Sequence, residues 1–210
     1  MALHDYNELN DMHIDALREI GNIGSGNAAS SLAMMLAVQV DISVPVVRIL
    51  DYEQVMDELG GPEQMIVGLL LCLDGDVNGM IMFLLHQEFA NKLLESLLGE
   101  DPPDVGAQGE INEMAYSALQ EVANIMAASY VNAIGSLTDL NINISVPSMC
   151  VDMLGAILSV PAIQYANISD KMIFIEDKFS GENLETPNHI LLIPDVESLG
   201  KIMDRLGIEL

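Results

Sequence analysis

Positive charge is scarce in this chain. Its 210 residues include 7 Lys and Arg against 32 Asp and Glu, which gives a formal net charge of -25 at pH 7. A nucleic-acid-binding protein needs clustered cations to neutralise phosphates, and an anionic membrane surface repels so acidic a chain. The composition therefore excludes nucleic-acid binding and argues against binding to a membrane surface.

Aromatic residues and cysteines are also few. There is no Trp, so aliphatic side chains and 14 Met must fill the core of a chain this long. Cys72 and Cys150 lie in apolar, strand-like runs and are expected to be buried thiols. The first residues lack the basic segment and apolar run of a signal peptide. These features predict a reducing cytoplasm, and they disfavour disulfide and metal roles.

No segment is predicted to cross a membrane, and no histidine pattern predicts a metal site. The uncharged segment Ile20 to Val40 is long enough to span a bilayer, but it contains several Asn, Ser and Gln residues. The four histidines are scattered without ligand spacing. The chain is therefore expected to bind no metal of its own.

The chain does contain an internal repeat. The pattern Asp15-x3-Glu19-x2-Asn22-x22-Pro45 returns 102 residues later as Ser117-x3-Glu121-x2-Asn124-x22-Pro147. The three residues before each proline are Ile-Ser-Val in both copies. Four spaced positions with the same long gap, found twice, indicate a tandem duplication with a candidate site in each half.

The spacing places the polar residues of each copy on one side of a helix. At about 100° per residue, positions i, i+4 and i+7 fall within a stripe roughly 60° wide. The opposite faces carry apolar or small residues: Leu17, Ile20, Gly24 and Ala28 in the first helix, and Leu119, Val122, Met126 and Tyr130 in the second. A solvated face tolerates any polar residue, so solvation alone does not explain the recurrence of Glu and Asn.

The two halves show the same order of predicted elements. The first half reads as a helix (11–36), a strand (38–50), a short helix (51–59), a hairpin (65–73 and 79–85) and a helix (89–98). The second reads as a helix (110–135), a strand (140–151), a short apolar segment to Pro161, strands at 171–179 and 189–194, and a helix to Leu206. This order predicts an α+β fold with pseudo-two-fold symmetry, in which long helices pack on a mostly antiparallel sheet. We expect a single domain, 1–210, made of repeats at about 11–99 and 110–207 that are joined by the linker 99–109.

One segment resembles the opening of a calcium-binding loop. Asp74, Asp76 and Asn78 have the required spacing, but the twelfth position is Leu85 and not Glu. Strand-like runs flank the segment where helices would be required. A hairpin turn is therefore favoured.

Two further patterns suggest other chemistry. The spacing of Gly21, Gly24 and Gly26 suggests a phosphate-binding loop, but these glycines follow a helix and not a strand. We expect them instead to allow the backbone of another segment to approach the helix closely. Glu19 and Glu121 could form an acid–base pair, but their predicted surface positions offer no desolvation. Both alternatives are disfavoured.

The two helices, Leu17 to Asn27 and Ala118 to Ala127, each followed by its distal proline, closely resemble the CheC family of bacterial and archaeal chemotaxis. The resemblance covers the whole chain, and both copies satisfy the family motif without departure. This favours CheC over its relative CheX, which looks like a dimeric protein whose chain has one site. The flagellar switch protein FliM is similar in fold but lacks the catalytic pair.

The resemblance implies a hydrolase that dephosphorylates the aspartyl phosphate of the response regulator CheY, with two active sites. Phosphoryl transfer of this kind needs little beyond positioning and charge stabilisation. The implied roles are water positioning by Asn22 and Asn124, pairing of Glu19 and Glu121 with a lysine of the partner, tuning of the stripe's edge by Asp15 and Ser117, and structural support by Pro45 and Pro147. The partner supplies Mg²⁺, and no cofactor of the chain's own is needed.

The resemblance also implies a second partner, the receptor deamidase CheD. Asp152, just beyond the second proline, is a candidate contact, although an Asp at a strand end has an equally good structural explanation. The chain is expected to be a monomer. The alternative function is a non-enzymatic adaptor that binds CheY or belongs to the flagellar switch, as FliM-like and FliY-like proteins do. The intact Asn pair argues against it, since docking alone does not require a carboxamide.

Overall fold

The fold is an antiparallel sheet with helices on both faces. The computed structural model describes residues 3, 5–37, 39–99, 105, 112–165, 171–181 and 184–208. Every strand pairing in this part of the chain is antiparallel. The α+β class predicted from the sequence is confirmed. The predicted linker 99–109 lies, apart from Gly99 and Val105, outside the described residues.

The helices and strands follow the same order in each half. After a 3-10 turn (Tyr6–Glu8), the first half contains α1 (Asp11–Leu36), β1 (Asp41–Ile42), β2 (Val46–Asp51), α2 (Tyr52–Glu58), β3 (Met65–Gly75), β4 (Gly79–His86) and α3 (Gln87–Leu98). The second contains α4 (Glu113–Thr138), β5 (Ile142–Ile144), β6 (Ser148–Met153), α5 (Leu154–Tyr165), β7 (Lys171–Gly181), β8 (Leu184–Pro194) and α6 (Val196–Arg205).

The sheet interlocks the two halves. Its strand order is β1-β7-β8-β4-β3-β5, with β2 also paired to β7 and β6 also paired to β3. The hairpin of each half therefore receives its outer strands from the other half. The two hairpins meet through the β4–β8 pairing at the centre of the sheet.

The two long helices begin and end at equivalent positions. The side chain of Asn10 caps α1 by accepting hydrogen bonds from the backbone N–H groups of Met12 and His13, at 2.9 and 3.3 Å. Asn112, 102 residues later, caps α4 in the same way. Both helices are followed by a residue in the left-handed conformation, Ala37 (φ 54°) and Asp139 (φ 58°), which are again 102 residues apart. The duplication thus includes the signals that set the length of each helix.

Apolar side chains on the two faces of the sheet form two cores. The larger core lies under α1, α3, α4 and α6, and the smaller lies under α2 and α5. The buried faces predicted for α1 and α4 are confirmed, since all eight of their predicted residues are buried. Burial of one face leaves the opposite face of each long helix in solvent.

The apolar segment that ends near Pro161 forms the helix α5, which the sequence analysis did not predict. Pro161 lies inside this helix. Leu154, Ile157 and Leu158, at helical spacing, are buried against the sheet. The packing of these side chains therefore outweighs the helix-breaking tendency of the proline.

The segment 74–78 is a hairpin turn, as predicted. Leu73 pairs with Gly79 across it. Its two carboxylates hold the neighbouring edge strand: Asp76 accepts a hydrogen bond from the backbone N–H of Asn141 at 2.8 Å, and Asp74 accepts one from the side chain of Asn143 at 2.8 Å. These carboxylates therefore have a structural use.

The expectation of buried cysteines is wrong. Cys72 and Cys150 are free and exposed. Side chains alternate along a strand, so Leu71 and Leu73 point into the larger core while Cys72 points to the other face. The helices α2 and α5 leave that part of the sheet uncovered, and an apolar run therefore did not imply burial on both faces.

The group that packs closely against Gly24 is a side chain, whereas the sequence analysis expected the backbone of another segment. A Cβ placed on Gly24 would lie 2.7 Å from Cδ1 of Tyr130, whereas one placed on Gly26 would meet nothing within 4 Å. The Tyr130 ring is fully buried, so it has no room to move. Gly24 therefore sets the close packing of α1 against α4.

This contact predicts opposite effects for two glycine substitutions in one helix. Gly24→Ala should lower the free energy of unfolding by about 1–2 kcal/mol, because overpacking outweighs the gain in helix propensity. Gly26→Ala is the matched control and should raise it by up to about 1 kcal/mol. Urea unfolding of both variants measures the difference. Equal stabilisation by both substitutions would contradict the packing role of Gly24.

Candidate functional site

The first candidate site is the polar stripe on α1. Asp15, Glu19 and Asn22 are all exposed, on the side of the helix that faces away from the core. Within the described part of the chain, Glu19 and Asn22 form no hydrogen bond or ion pair. Both side chains are therefore available to a molecule that approaches from solvent.

The second candidate site is the equivalent stripe on α4. Ser117 and Glu121 are exposed, and Asn124 is half-buried. As in the first site, the described residues supply no hydrogen bond or ion pair to Glu121 or Asn124. Because α1 and α4 pack side by side, both stripes lie on the outer surface of one helical layer.

The two prolines of the motif lie beside the helices and not in the stripes. Pro45 is buried, and its Cγ atom would be 3.5 Å from a Cβ on Gly21, the residue before Asn22. Pro147 is also buried, and its carbonyl oxygen accepts a hydrogen bond from the side chain of Gln120, the residue before Glu121. In each half the proline therefore anchors a strand to the flank of the stripe-bearing helix.

The two sites differ in local charge. In α1 the guanidinium of Arg18 pairs with the carboxylate of Asp15. In α4 the equivalent positions are Gln120 and Ser117, which carry no charge. The first site thus has an ion pair at its edge that the second lacks, while the Glu and Asn positions are the same in both.

A buried polar cluster lies behind the stripes and joins α1, α4 and the sheet. Ser25 Oγ donates a hydrogen bond to Asp177 Oδ2 at 2.7 Å, and the Tyr130 hydroxyl donates one to the same oxygen. The hydroxyl oxygens of Ser25 and Tyr130 are 2.6 Å apart. Ser25 follows Asn22 by one helical turn, so this cluster holds α1 at the level of the first site.

Asp177 is held in a setting that favours its protonated form. It is completely buried, and burial raises the pKa of its carboxyl to about 6 although the hydrogen bonds from Tyr130 and Ser25 lower it. The three oxygen atoms make three mutual contacts, but the two hydroxyl groups supply only two protons. A proton on Asp177 Oδ2 would be donated to one hydroxyl, which could then donate its own proton to the other hydroxyl. Burial likewise raises the pKa of Tyr130 well above its ordinary value.

Asp152 does not lie in the helical layer that carries the stripes. It is exposed at the end of β6, and its Oδ1 accepts a hydrogen bond from the backbone N–H of Met153 at 2.7 Å. Its neighbour Val151 packs against the larger core, so Asp152 points to the other face of the sheet. The structure therefore does not bring Asp152 together with the helical residues.

The chemistry of the stripes is limited to positioning and electrostatics. Among the described residues, no group of His, Cys, Asp and Glu could hold a metal ion. None of the described helices is both long and apolar enough to cross a membrane. A carboxamide can donate and accept hydrogen bonds at once, and an exposed carboxylate can pair with a cation. An exposed helix face of this kind suits a macromolecular partner better than an enclosed small molecule.

The sequence analysis missed the Ser25–Tyr130–Asp177 cluster. Ser25 and Tyr130 are 105 residues apart, and Asp177 lies on a strand of the second half. No local pattern joins them. The one indication in the sequence is that Ser25 falls on the buried side of α1, where a hydroxyl group requires a hydrogen-bond partner.

The chain is similar to known chemotaxis proteins. The model of the CheC-like family matches residues 12–49, and that of the chemotaxis phosphatase CheX matches residues 67–166. The CheY-P phosphatase CheC of Bacillus subtilis (strain 168) is 31% identical over 207 residues, which cover 98% of this chain and 99% of that protein. The flagellar motor switch phosphatase FliY of the same organism is 29% identical over 143 residues, which cover 68% of this chain and 36% of that protein.

The fold is also similar to a solved structure. The crystal structure of Thermotoga maritima FliY superposes with a TM-score of 0.74 at 21% identity, and the match covers 95% of this chain and 98% of that one. At this identity the likeness concerns the fold alone. It agrees with the α+β architecture described above.

The setting of Asp177 predicts a specific pH dependence of stability. Between about pH 4 and pH 6 the folded protein holds a proton that the unfolded chain has released, so the free energy of unfolding should fall as pH rises. The total loss due to this group should be about 3 kcal/mol. Asp177→Asn should remove this contribution.

Urea unfolding at several pH values would measure the difference between the native protein and the variant. Asp57→Asn, which replaces an exposed aspartate on α2, is the matched control and should keep the native pH dependence. A constant offset between native protein and Asp177→Asn across pH 4–7 would show that Asp177 titrates alike in the folded and unfolded states.

Proposed function

The chain belongs to the CheC-like family, and we propose on that basis that it dephosphorylates the aspartyl phosphate of a CheY-type response regulator in the cytoplasm. A relative of nearly the same length, 31% identical, is a CheY-P phosphatase. The reaction is a hydrolysis: a water oxygen bonds to phosphorus, and the bond from phosphorus to the partner's carboxylate oxygen breaks. Inorganic phosphate and the free aspartate are the products.

The observation that carries this proposal is the pair of exposed stripes. A Glu and an Asn, one helical turn apart, recur at equivalent positions on the solvent side of both long helices. They face away from the core, so packing does not require them. A site that acts on another protein needs such exposure, since the phosphorylated aspartate must reach it from outside.

In the proposed mechanism the carboxamide positions the attacking water. Asn22 or Asn124 accepts a hydrogen bond from the water and donates one to an oxygen near the phosphorus, which aligns the attack with the bond that breaks. An acyl phosphate is already reactive, so alignment and charge stabilisation suffice. Neither stripe needs a nucleophile of its own.

The carboxylate holds the partner in register. Glu19 or Glu121 would pair with the lysine of the partner's active site, and charge-assisted hydrogen bonds of this type are among the stronger ones. The partner also supplies Mg²⁺, so the chain needs no cofactor. Asp15 and Ser117 lie at the edge of each stripe and tune it, while Pro45 and Pro147 hold the strands that flank it.

We further propose two active sites in one monomeric chain of a single domain. The motif is complete in both halves, and the strand exchange between hairpins keeps the halves together. The two sites need not be equal, because Arg18 and Asp15 form an ion pair that has no counterpart in the second site.

A second partner, the deamidase CheD, would bind the edge of the sheet at β6. Asp152 points to one face there, whereas Met153 and its cross-strand partner Met65 point to the other. Both methionines are exposed, so a partner that wraps this edge would meet a carboxylate and apolar contact area. This edge is separate from the stripes, which would let CheD and the response regulator bind together.

Kinetics should separate the roles of Asn and Glu. Asn22→Ala and Asn124→Ala should each lower kcat, and the double variant should lose about 10²-fold or more, because lost alignment of the water affects the chemical step. Glu19→Gln and Glu121→Gln should mainly raise KM, because they remove the charge that pairs with the partner's lysine. Phosphate release from a phosphorylated CheY-type regulator is the measurement.

Matched controls are available on the same surface. Asn27→Ala and Asn132→Ala replace exposed asparagines of α1 and α4 outside the stripes, and Glu95→Gln replaces an exposed glutamate of α3. These variants should behave as the native protein. A native rate of phosphate release in the Asn22→Ala, Asn124→Ala double variant would refute the enzyme proposal, and regulator binding without any phosphate release would favour the adaptor alternative.

The CheD surface makes a separate prediction. Asp152→Asn combined with Met153→Ser should weaken binding of CheD about tenfold or more, since the two residues supply charge and apolar area on the two sides of the β6 edge. Titration calorimetry with purified CheD measures the change. Asp204→Asn, at an exposed position of α6, is the control. Unchanged affinity in the double variant would place CheD elsewhere.

A further inference from the structure

An exposed methionine precedes each stripe. Met12 and Met114 are 102 residues apart, and both are 63% exposed. Each lies seven residues before the Glu of its stripe, which at about 100° per residue puts the two side chains within roughly 20° of each other around the helix. The methionine therefore extends the stripe by about one turn beyond Asp15 or Ser117, toward the start of the helix.

An exposed valine also lies beside each stripe. Val44 and Val146 are also 102 residues apart and are 72% and 79% exposed. Each immediately precedes the proline that anchors a strand to the helix, beside Gly21 in the first half and Gln120 in the second. Val44, in the loop between β1 and β2, and Val146, in the loop between β5 and β6, thus lie in solvent at the flank of the stripe.

Recurrence distinguishes these four residues from ordinary exposed apolar side chains. A single exposed apolar residue is common and needs no explanation. Met34 and Val46 are such cases, because Ser occupies the position 102 residues after each of them. The methionine and the valine beside the stripes are present in both halves, in the same residue type and at similar exposure.

Because the chain is strongly acidic, binding of an acidic partner at the two sites needs apolar contacts. The chain has a net charge of -25, α4 contains no Lys or Arg, and Arg18 of α1 is paired with Asp15. A phosphorylated aspartate with its neighbouring carboxylates is itself acidic. Long-range attraction therefore does not bring such a partner to the stripes, and affinity must come from short-range contacts.

We propose that Met12 with Val44, and Met114 with Val146, form the apolar contacts that dock the phosphorylated response regulator over each stripe. This inference rests on the proposed function for the identity of the partner. The methionine is flexible and polarizable, so it fits against an uneven protein surface. The valine lies in the loop next to the anchoring proline, at the flank of the stripe, so the partner's phosphoryl group would enter between the two apolar residues.

The first test is binding without turnover. A CheY-type regulator carrying beryllofluoride, a stable mimic of the phosphoryl group, would be titrated into the native chain and into the fourfold variant Met12→Ser, Val44→Thr, Met114→Ser, Val146→Thr. We expect Kd to rise at least tenfold. All four residues are exposed, so the variant should unfold at the native temperature. The double variant Met34→Ser, Val160→Thr replaces an equally exposed methionine and an exposed valine of α5, and it should bind as the native chain does.

The second test assigns the contacts to their own sites. In an Asn124→Ala background, where the first site carries the turnover, Met12→Ser with Val44→Thr should raise KM about fivefold and leave kcat unchanged. In an Asn22→Ala background, Met114→Ser with Val146→Thr should do the same. A change confined to kcat would indicate a role in chemistry and overturn the docking role.

The outcomes separate this inference from the proposed function. If the native chain binds the regulator but releases no phosphate, the phosphatase proposal fails and the binding titration still decides the docking residues. If the native chain releases phosphate and the fourfold variant keeps the native Kd, the docking inference fails alone. If the native chain does not bind the beryllofluoride-bearing regulator, the docking inference is overturned as well.

Discussion

The exchange of outer strands between the two halves is the constraint on which the structure depends. β2 is hydrogen-bonded to β7, and β6 is hydrogen-bonded to β3, so neither hairpin is complete within its own half. A hairpin without a further strand is marginally stable in water. Each stripe-bearing helix is in turn anchored through Pro45 or Pro147 to a strand that the other half holds in place. Both candidate sites therefore depend on the fold of the whole chain.

The seam between α1 and α4 has a different character from the rest of the larger core. It contains a glycine, an aromatic ring and a buried carboxyl group, whereas the surrounding core is mostly aliphatic. Gly24 lets the Tyr130 ring lie against α1, and the ring's hydroxyl reaches Asp177 of the sheet. Buried polar clusters require closely defined geometry, because a misplaced partner leaves a group desolvated and unpaired. This cluster fixes how the two helices lie relative to each other and to the sheet.

The surfaces of the molecule divide its proposed tasks. The helical layer over the larger core presents two copies of one polar stripe, whereas the β6 edge of the sheet presents Asp152 on one side and exposed methionines on the other. A duplicated site and a single site at separate places could be occupied at the same time. The stripes are exposed polar surfaces, so the proposed partner would bring its phosphoryl group to them from solvent.

Much of the fold and of the site followed from periodicity and internal repetition in the sequence. The helical stripes, their buried faces, the α+β class and the hairpin at 74–78 depend on local spacing and turn chemistry, which neighbouring residues determine. The exposure of Cys72, the helix that contains Pro161 and the ring packed on Gly24 could not be predicted, because each depends on which distant element covers a given face. The meeting of Ser25, Tyr130 and Asp177 was equally inaccessible. The sequence by itself determined which residues of each helix face away from the core, since 3.6 residues per turn is a local property. Only the tertiary structure decided which strands of the two halves pair and which buried residues lie behind each site. Contacts between residues a hundred positions apart arise from packing the whole chain.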